Sequence, residues 1–126
     1  LLFLTAGIIL SFLRYSRFMN SETYDSSLLR LANSVSKLTL DNDLLITVDD
    51  GNPIVLYRCD RKGWNAYVEQ IDSAFIQDRI EKGAKFIVGE NSYFNSENAN
   101  QKLNYLLTNY KPIERTQDHF IIDLRK

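Results

Sequence analysis

A run of five residues, Leu44–Val48, apolar except for Thr47, constrains the fold of this chain more than any other segment. Polar residues bound the run on both sides, Asp41-Asn42-Asp43 before it and Asp49-Asp50-Gly51-Asn52 after it. A continuous apolar run of this length suits a strand that is buried on both faces, as in a parallel sheet. We therefore predict a buried strand over residues 44–48, with a polar loop at its carboxyl end.

Helical and strand-like segments alternate along the rest of the chain. Apolar residues recur from Tyr24 at i+4, i+7, i+11 and i+14, which predicts an amphipathic helix capped by Asn20-Ser21. The further predicted elements are a short helix from Pro53 to a stop at Gly63, a strand over 64–68, a helix from Asp72 or Ser73 to Gly83, a strand over 84–88, a polar loop over 89–98, a helix over 99–110, and strands over 113–116 and 119–124. This order predicts an α/β fold of Rossmann-like type, a three-layer open sheet that is mostly parallel with an antiparallel C-terminal edge.

The first thirteen residues carry no charge, and every charged side chain lies from Arg14 onward. As a helix they would reach roughly 20 Å, short of the roughly 30 Å of a bilayer's hydrocarbon core. Because the segment is apolar on every side, we interpret it as the C-terminal part of a transmembrane helix, followed by an aromatic and basic interfacial collar. The predicted domains are residues 1–19, the membrane segment with its collar, and residues 20–126, a soluble α/β domain. The alternative is a core helix of a soluble protein.

The composition excludes several classes of function. Fifteen Lys and Arg against sixteen Asp and Glu leave a net charge of −1, too little to hold nucleic acid. The single cysteine, Cys59, excludes an internal disulfide and is expected to be a small buried hydrophobe. The single histidine, His119, falls in a predicted turn and is expected at the surface. Since no set of nucleophile, base and orienting group can be assembled, we assign no catalytic residue, metal site or cofactor to this chain.

The first candidate binding cluster follows the predicted strand over 44–48. Ligands of open α/β sheets bind outside the carboxyl ends of the strands, where Asp49, Asp50 and Asn52 fall. Adjacent carboxylates can hold a divalent cation and, through it, a phosphate, with Glu90 as the further acidic candidate at a later strand end. The alternative is that these residues form a turn and cap the following helix.

The second candidate cluster spans Tyr57–Trp64. Its basic residues can bind phosphate or carboxylate, and the Trp face suits a sugar ring or a lipid headgroup. The alternative has Tyr57 and Trp64 in the core, Asp60 paired with Arg61, and Gly63 at the end of a helix. In both interpretations Arg61 and Lys62 are expected to be exposed. The candidate ligand contacts of this cluster are Arg58, Arg61, Lys62 and Trp64.

The order of these features resembles the C-terminal soluble domain of bacterial polytopic glycosyltransferases. The family is the dolichyl-phosphate-mannose–protein mannosyltransferase superfamily, which includes the aminoarabinose–lipid A transferases. The motifs that carry the resemblance are NPIVLYRCDRKGW (residues 52–64), EKGAKFIV (81–88) and FIIDL (120–124), after a last transmembrane helix. The resemblance implies a polyprenyl-phosphate sugar donor and an inverting transfer at the outer face of the membrane. It places the catalytic acidic residues in an early loop between transmembrane helices, outside this sequence, so no catalytic residue is carried over.

The resemblance thus implies an accessory, extracytoplasmic domain of an integral-membrane glycosyltransferase, periplasmic or extracellular, that helps acceptor access or packs on the transmembrane core. Its partners would be its own transmembrane domain, the bilayer, and the polyprenyl-phosphate sugar or a lipid, glycan or protein acceptor. Arg14 and Arg17 favour a cytoplasmic side, but two arginines decide little. One alternative is a membrane-anchored α/β binding module for a small anionic ligand, with no transferase attached. Another is a metal-dependent, phosphate-handling enzyme built on Asp49 and Asp50.

Overall fold

The computed structural model describes residues 25–125 and, before them, only Gly7, Ile9 and Ser11, which are helical. The predicted membrane segment and collar over residues 1–19 lie outside the described residues apart from these three positions. The predicted helix cap at Asn20-Ser21 also lies outside them. Within the described part of the chain, no helix is both long enough and apolar enough to cross a membrane.

Helices and strands alternate through residues 25–125 much as the sequence predicts. The elements are α1 (Asp25–Leu38), β1 (Leu44–Val48), α2 (Ile54–Arg58), β2 (Lys62–Ala66), a 3₁₀ turn (Val68–Gln70), α3 (Ser73–Glu81), β3 (Ala84–Glu90), a second 3₁₀ turn (Asn91–Phe94), α4 (Glu97–Asn109), β4 (Lys111–Arg115) and β5 (His119–Asp123). The strand predicted over 64–68 begins two residues earlier, and the strand predicted over 84–88 extends two residues further into the polar segment.

The five strands form one open mixed sheet in the order β2-β1-β3-β5-β4. Strand β1 lies between β2 and β3 and pairs with both in parallel. Strand β5 pairs antiparallel with β3 on one side and with β4 on the other. The predicted α/β fold, with parallel strands followed by an antiparallel C-terminal pair, is confirmed.

Alternate residues of β1 enter two different apolar clusters, because successive side chains of a strand point to opposite faces. Leu45 packs with helices α1 and α2, in a cluster that includes Leu31 and Val55. Ile46 packs with helices α3 and α4, in a cluster that includes Ile76 and Leu106. The structure therefore confirms that β1 is buried on both faces, with helices around the sheet.

The predicted start of the third helix is confirmed, whereas the fourth helix begins two residues earlier than predicted. Asp72 caps α3 by accepting a hydrogen bond of 2.8 Å from the Phe75 N–H. Ser96 caps α4 in the same way, accepting from the Ala99 N–H at 3.1 Å. Each cap satisfies one of the N–H groups that a helix start leaves unpaired, so both helices begin where such a residue precedes them.

Gly63 does not end a helix, contrary to the prediction. Helix α2 ends at Arg58, and Gly63 is the second residue of β2, paired with Leu45 of β1 at a φ of +150°. A Cβ atom at this position would overlap the carbonyl oxygen of Leu45. The prediction was wrong because a glycine shortly after basic residues is typical of a helix end. Here glycine is required because two strand backbones approach closely.

Replacing Gly63 by alanine should destabilise the fold by about 3 kcal/mol or more, because β1 and β2 must separate to admit the methyl group. Gly83→Ala is the matched control. Its φ is +101°, but an added Cβ meets only the Leu44 Cδ1 at 3.4 Å, so we expect a loss of about 1–2 kcal/mol. Urea unfolding measures both, and equal losses would show that backbone strain alone explains Gly63.

Candidate functional site

The two predicted clusters lie at opposite ends of the strands. We call the side where the parallel strands β1–β3 end the carboxyl edge of the sheet, and the side where they begin the amino edge. Lys62 pairs with Leu44, the first residue of β1, whereas Asp49 directly follows Val48, the last. A strand of five residues separates the two edges by roughly 13 Å. The structure brings Asp49, Asp50 and Asn52 together at the carboxyl edge, and it places Arg61 and Lys62 at the amino edge. The two clusters do not form one site.

Asp49 is a buried carboxylate, with only 1% of its surface exposed. Its Oδ1 accepts a hydrogen bond of 3.1 Å from the Asn52 N–H. The Asn65 amide on β2 favours the charged form of Asp49. Within the described residues, however, neither Asp49 Oδ2 nor Asn65 Nδ2 has a hydrogen bond of good geometry. Burial raises the pKa of Asp49 to about 6, and the hydrogen bond from Asn52 opposes that rise. Half of this carboxylate is therefore buried without a partner.

The loop after β1 is a turn that starts α2, as one of the two interpretations predicts. Asn52 is exposed, and its Oδ1 accepts a hydrogen bond of 3.1 Å from the Ile54 N–H. Asp50 is exposed as well. Gly51, at a φ of +75°, lies under the Tyr67 ring, and a Cβ there would overlap the Tyr67 hydroxyl. Tyr67 thus covers the loop from the side of β2.

Glu90 ends β3 at the same edge, and its Oε2 accepts a hydrogen bond of 3.2 Å from the Ser27 Oγ on α1. This carboxylate is engaged with a helix. Among the residues that the structure describes, no group of three or more His, Cys, Asp or Glu is arranged to hold a metal ion. The carboxyl edge is thus acidic but does not assemble the cation site that Asp49 and Asp50 suggested.

His119 is buried rather than at the surface, contrary to the prediction. It is 2% exposed, and its Nε2 lies 2.6 Å from the Glu114 Oε1 across the β4–β5 hairpin. A hydrogen bond from Ser34 on α1 holds the pKa of Glu114 below its usual value, and His119 adds to that effect. The signal was present in the sequence, because a Glu and a His on either side of a tight turn can meet diagonally in a hairpin.

Arg61 is also buried, contrary to the prediction, with its side chain 3% exposed. Its Nε donates to the Thr39 Oγ1 at 3.2 Å and its Nη2 to the Thr39 carbonyl at 3.3 Å. Its Nη1 donates to the carbonyls of Cys59 and Asp60, at 3.3 and 3.0 Å. The Asp41 carboxylate lies 3.3 Å from Nη2. These groups use the hydrogen-bond donors of the guanidinium. Arg61 therefore holds the ends of α1 and α2 together and is not a ligand contact.

The rest of the second cluster is split between surface and core. Lys62 is exposed, as predicted, and Arg58 is exposed as well. Trp64 is half-buried, with the Arg79 guanidinium 5.6 Å from its ring centroid. Tyr57 is 82% exposed, so its predicted core position is wrong.

Cys59 is buried, as predicted, and burial raises the pKa of its thiol to about 11. A cavity of about 370 Å³ lies beside it at the amino edge, lined by Asp41, Leu56, Tyr57, Asp60, Arg61 and Lys62. Its lining mixes both signs of charge, so it does not favour an anionic ligand.

Comparisons of the chain with protein-family profiles, with curated proteins and with solved structures find no match in any of the three. What the chain can bind is therefore inferred from the side chains at these two edges. The carboxyl edge offers an exposed carboxylate, a buried carboxylate and a tyrosine, which can accept and donate hydrogen bonds.

Replacing Arg61 by glutamine should destabilise the protein by about 3 kcal/mol or more, because three backbone carbonyls lose their buried donor. Lys62→Gln, one residue away and exposed, should change stability by about 0.5 kcal/mol or less. Thermal and urea unfolding of the two single variants measure the contrast. An Arg61→Gln variant that is as stable as the natural protein would show that the guanidinium does not hold these helix ends together.

Asp49→Asn should remove one component of the pH dependence of stability. The pKa of Asp49 is raised from 3.8 to about 6 on folding, so the folded state holds the proton more tightly than the unfolded one. The carboxyl therefore favours folding below about pH 4 and loses that advantage as the pH rises to about 6. The variant should gain about 3 kcal/mol over the natural chain across this window. Urea unfolding from pH 4 to 7 tests this, and parallel curves for the two proteins would contradict it.

Proposed function

We propose that this chain is an accessory, extracytoplasmic C-terminal domain of an integral-membrane glycosyltransferase. The transferase moves a sugar from a polyprenyl-phosphate donor to a lipid, glycan or protein acceptor. The apolar segment over residues 1–13 is then the end of its last transmembrane helix, and the domain lies on the periplasmic or extracellular side. The catalytic residues belong to the transmembrane part.

The direction of α1 is the observation that carries this proposal. Its first turns contact the carboxyl edge, through Ser27 on Glu90 and through Arg30, whose Nη2 lies 2.7 Å from the Asp118 Oδ2 in the β4–β5 turn. Just after its last turn, Thr39 meets Arg61 at the amino edge. The segment that precedes α1 therefore joins the domain at the carboxyl edge of the sheet.

This connection restricts the orientation of a membrane-anchored domain relative to the bilayer. Residues 14–24 link the apolar segment to α1, and eleven residues span at most roughly 40 Å. With residues 1–13 in a bilayer, this tether attaches at the carboxyl edge, and we infer that this edge faces the headgroups. The loops at that edge, with Asp49, Asp50 and Tyr67, then lie close to where polyprenyl-phosphate donors and lipid-linked acceptors reside.

The finer architecture belongs to the same proposal. We infer a Rossmann-like arrangement of three layers, with α1 and α2 on one face of the sheet and α3 and α4 on the other. The two separate apolar clusters support it, since each combines a different pair of helices with alternate strand residues.

The two alternative functions have less support. A module for a small anionic ligand needs free cations, but the Arg61 donors are occupied. The exposed Lys62 lines its cavity together with the acidic residues Asp41 and Asp60. A metal-dependent phosphate enzyme needs a third ligand beside Asp49 and Asp50, and Glu90 is hydrogen-bonded to Ser27. An accessory domain needs neither of these sites.

Vesicle flotation tests the anchored arrangement. The chain of residues 1–126 should float with neutral phosphatidylcholine vesicles, whereas a chain that starts at Ser21 should remain in the aqueous fraction, because it lacks the apolar segment. Replacing Ile8 and Ile9 by aspartate in the longer chain is the matched control and should abolish flotation. Equal behaviour of the two chains would contradict the proposal.

The gene upstream of residue 1 tests the transferase itself. The reading frame should continue upstream with many apolar segments of about 20 residues. A frame with a single such segment would instead support the anchored binding module.

A further inference from the structure

The outer face of helix α4 is uncharged beyond its first residue, the exposed Glu97. Between Asn98 and Asn109 the sole charged residue is Lys102, whose ammonium donates to the carbonyls of Glu69 and Ile71 at 3.1 and 2.7 Å. Asparagine is a poor helix former, and exposed helix positions normally hold stronger ones such as Lys, Glu or Ala. This face therefore lowers the stability of the helix. The exposed positions are Asn98, Asn100, Gln101, Asn104, Thr108 and Asn109.

A groove runs between this helix and α3. It consists of two cavities, of about 430 and 270 Å³, that share Ser73 and Tyr105. Gln77 and Asn109 line the larger cavity, and Asn98 and Gln101 line the smaller one. The larger lies within the roughly 300–1,000 Å³ of small-molecule sites.

The groove presents hydrogen-bonding groups but little free charge. Its two charged lining residues are occupied, since Asp72 caps α3 and Lys102 binds the two carbonyls. Burial raises the pKa of Tyr110, and Tyr105 adds to the rise, so the Tyr110 hydroxyl stays protonated at neutral pH. Carboxamides both donate and accept hydrogen bonds, which matches a ligand with several hydroxyl groups. A tyrosine ring supplies an apolar face for the C–H side of a sugar.

The groove also begins at the edge that faces the membrane in the proposed arrangement. Helix α4 follows the carboxyl end of β3, so Asn98, in its first turn, places the smaller cavity toward that edge. A glycan carried by a membrane-bound acceptor can therefore reach the groove.

We propose that the groove between α3 and α4 binds a neutral oligosaccharide. Asn98 and Gln101 bind its hydroxyl groups, and the ring of Tyr105, which lines both cavities, packs against a sugar face. The inference rests on the proposed function and deepens it, because it assigns a neutral glycan as the acceptor class.

Saturation-transfer NMR on the whole 126-residue chain tests the proposal, in lauryldimethylamine oxide, a detergent without a sugar headgroup. The neutral probes are mannohexaose, maltohexaose and hexa-N-acetylchitohexaose, and hexagalacturonate is the charged probe. We expect saturation transfer to at least one neutral probe, and binding of hexagalacturonate at least tenfold weaker.

The double variant Asn98→Ala, Gln101→Ala should lose binding at least tenfold while its melting temperature rises, because alanine is the better helix former. Asn104→Ala is the matched control. This residue lies on the same exposed face, but it lines neither cavity, and its side-chain amide donates to the Asn100 Oδ1. Its melting temperature should also rise, and its binding should be unchanged.

Three results would overturn the inference: no transfer to any neutral probe, undiminished binding in the double variant, or equal binding of hexagalacturonate. Flotation reports separately on the proposed function. A chain that floats but binds no probe refutes the groove alone. A chain that binds a neutral probe without floating refutes the membrane-anchored arrangement alone.

Discussion

The buried guanidinium of Arg61 is the interaction on which the order of the parallel strands depends. Helices α1 and α2 both end near the start of β2, and the ends of helices leave carbonyl groups unpaired. Arg61 donates to the carbonyls of Thr39, Cys59 and Asp60 at once. One side chain thus fixes where two helices stop, and the next residue begins the strand that pairs with β1. Gly63 then allows the two strand backbones to approach.

Sequence patterns predicted the elements well because local signals and burial agree in this chain. The apolar run over Leu44–Val48 and the predicted cap at Asp72 lie where the structure has them. The errors at Arg61, Gly63 and His119 have a common cause. Each residue type is typical of a surface or a helix end, and its real position depends on partners distant in the chain or on an adjacent strand. The candidate site was therefore predicted only in part, with Asp49, Asp50 and Asn52 together and the basic cluster at the other edge.

The buried carboxylate of Asp49 and the uncharged face of α4 both lower stability in isolation. One places an acidic group where its charged form is disfavoured, and the other fills exposed helix positions with weak helix formers. When a residue is unfavourable for its local structure and no better packing compensates for it, its position is often a functional one. Asp49 and the start of the α4 face at Asn98 lie toward the carboxyl edge of the sheet, which the direction of α1 turns toward the attached apolar segment. The proposed function and the glycan groove thus depend on the same orientation.

The two outermost strands of the sheet affect whether copies of this domain associate with one another. Strands β2 and β4 each leave one side of the backbone unpaired, a template onto which a neighbouring chain can add a strand. Here β2 begins with Lys62 and Gly63, and β4 begins with Lys111 and Pro112. Charge, a flexible glycine and a residue without an N–H all disfavour such addition. The sheet is open in geometry, yet its outermost strands are protected against pairing with a second copy of the domain.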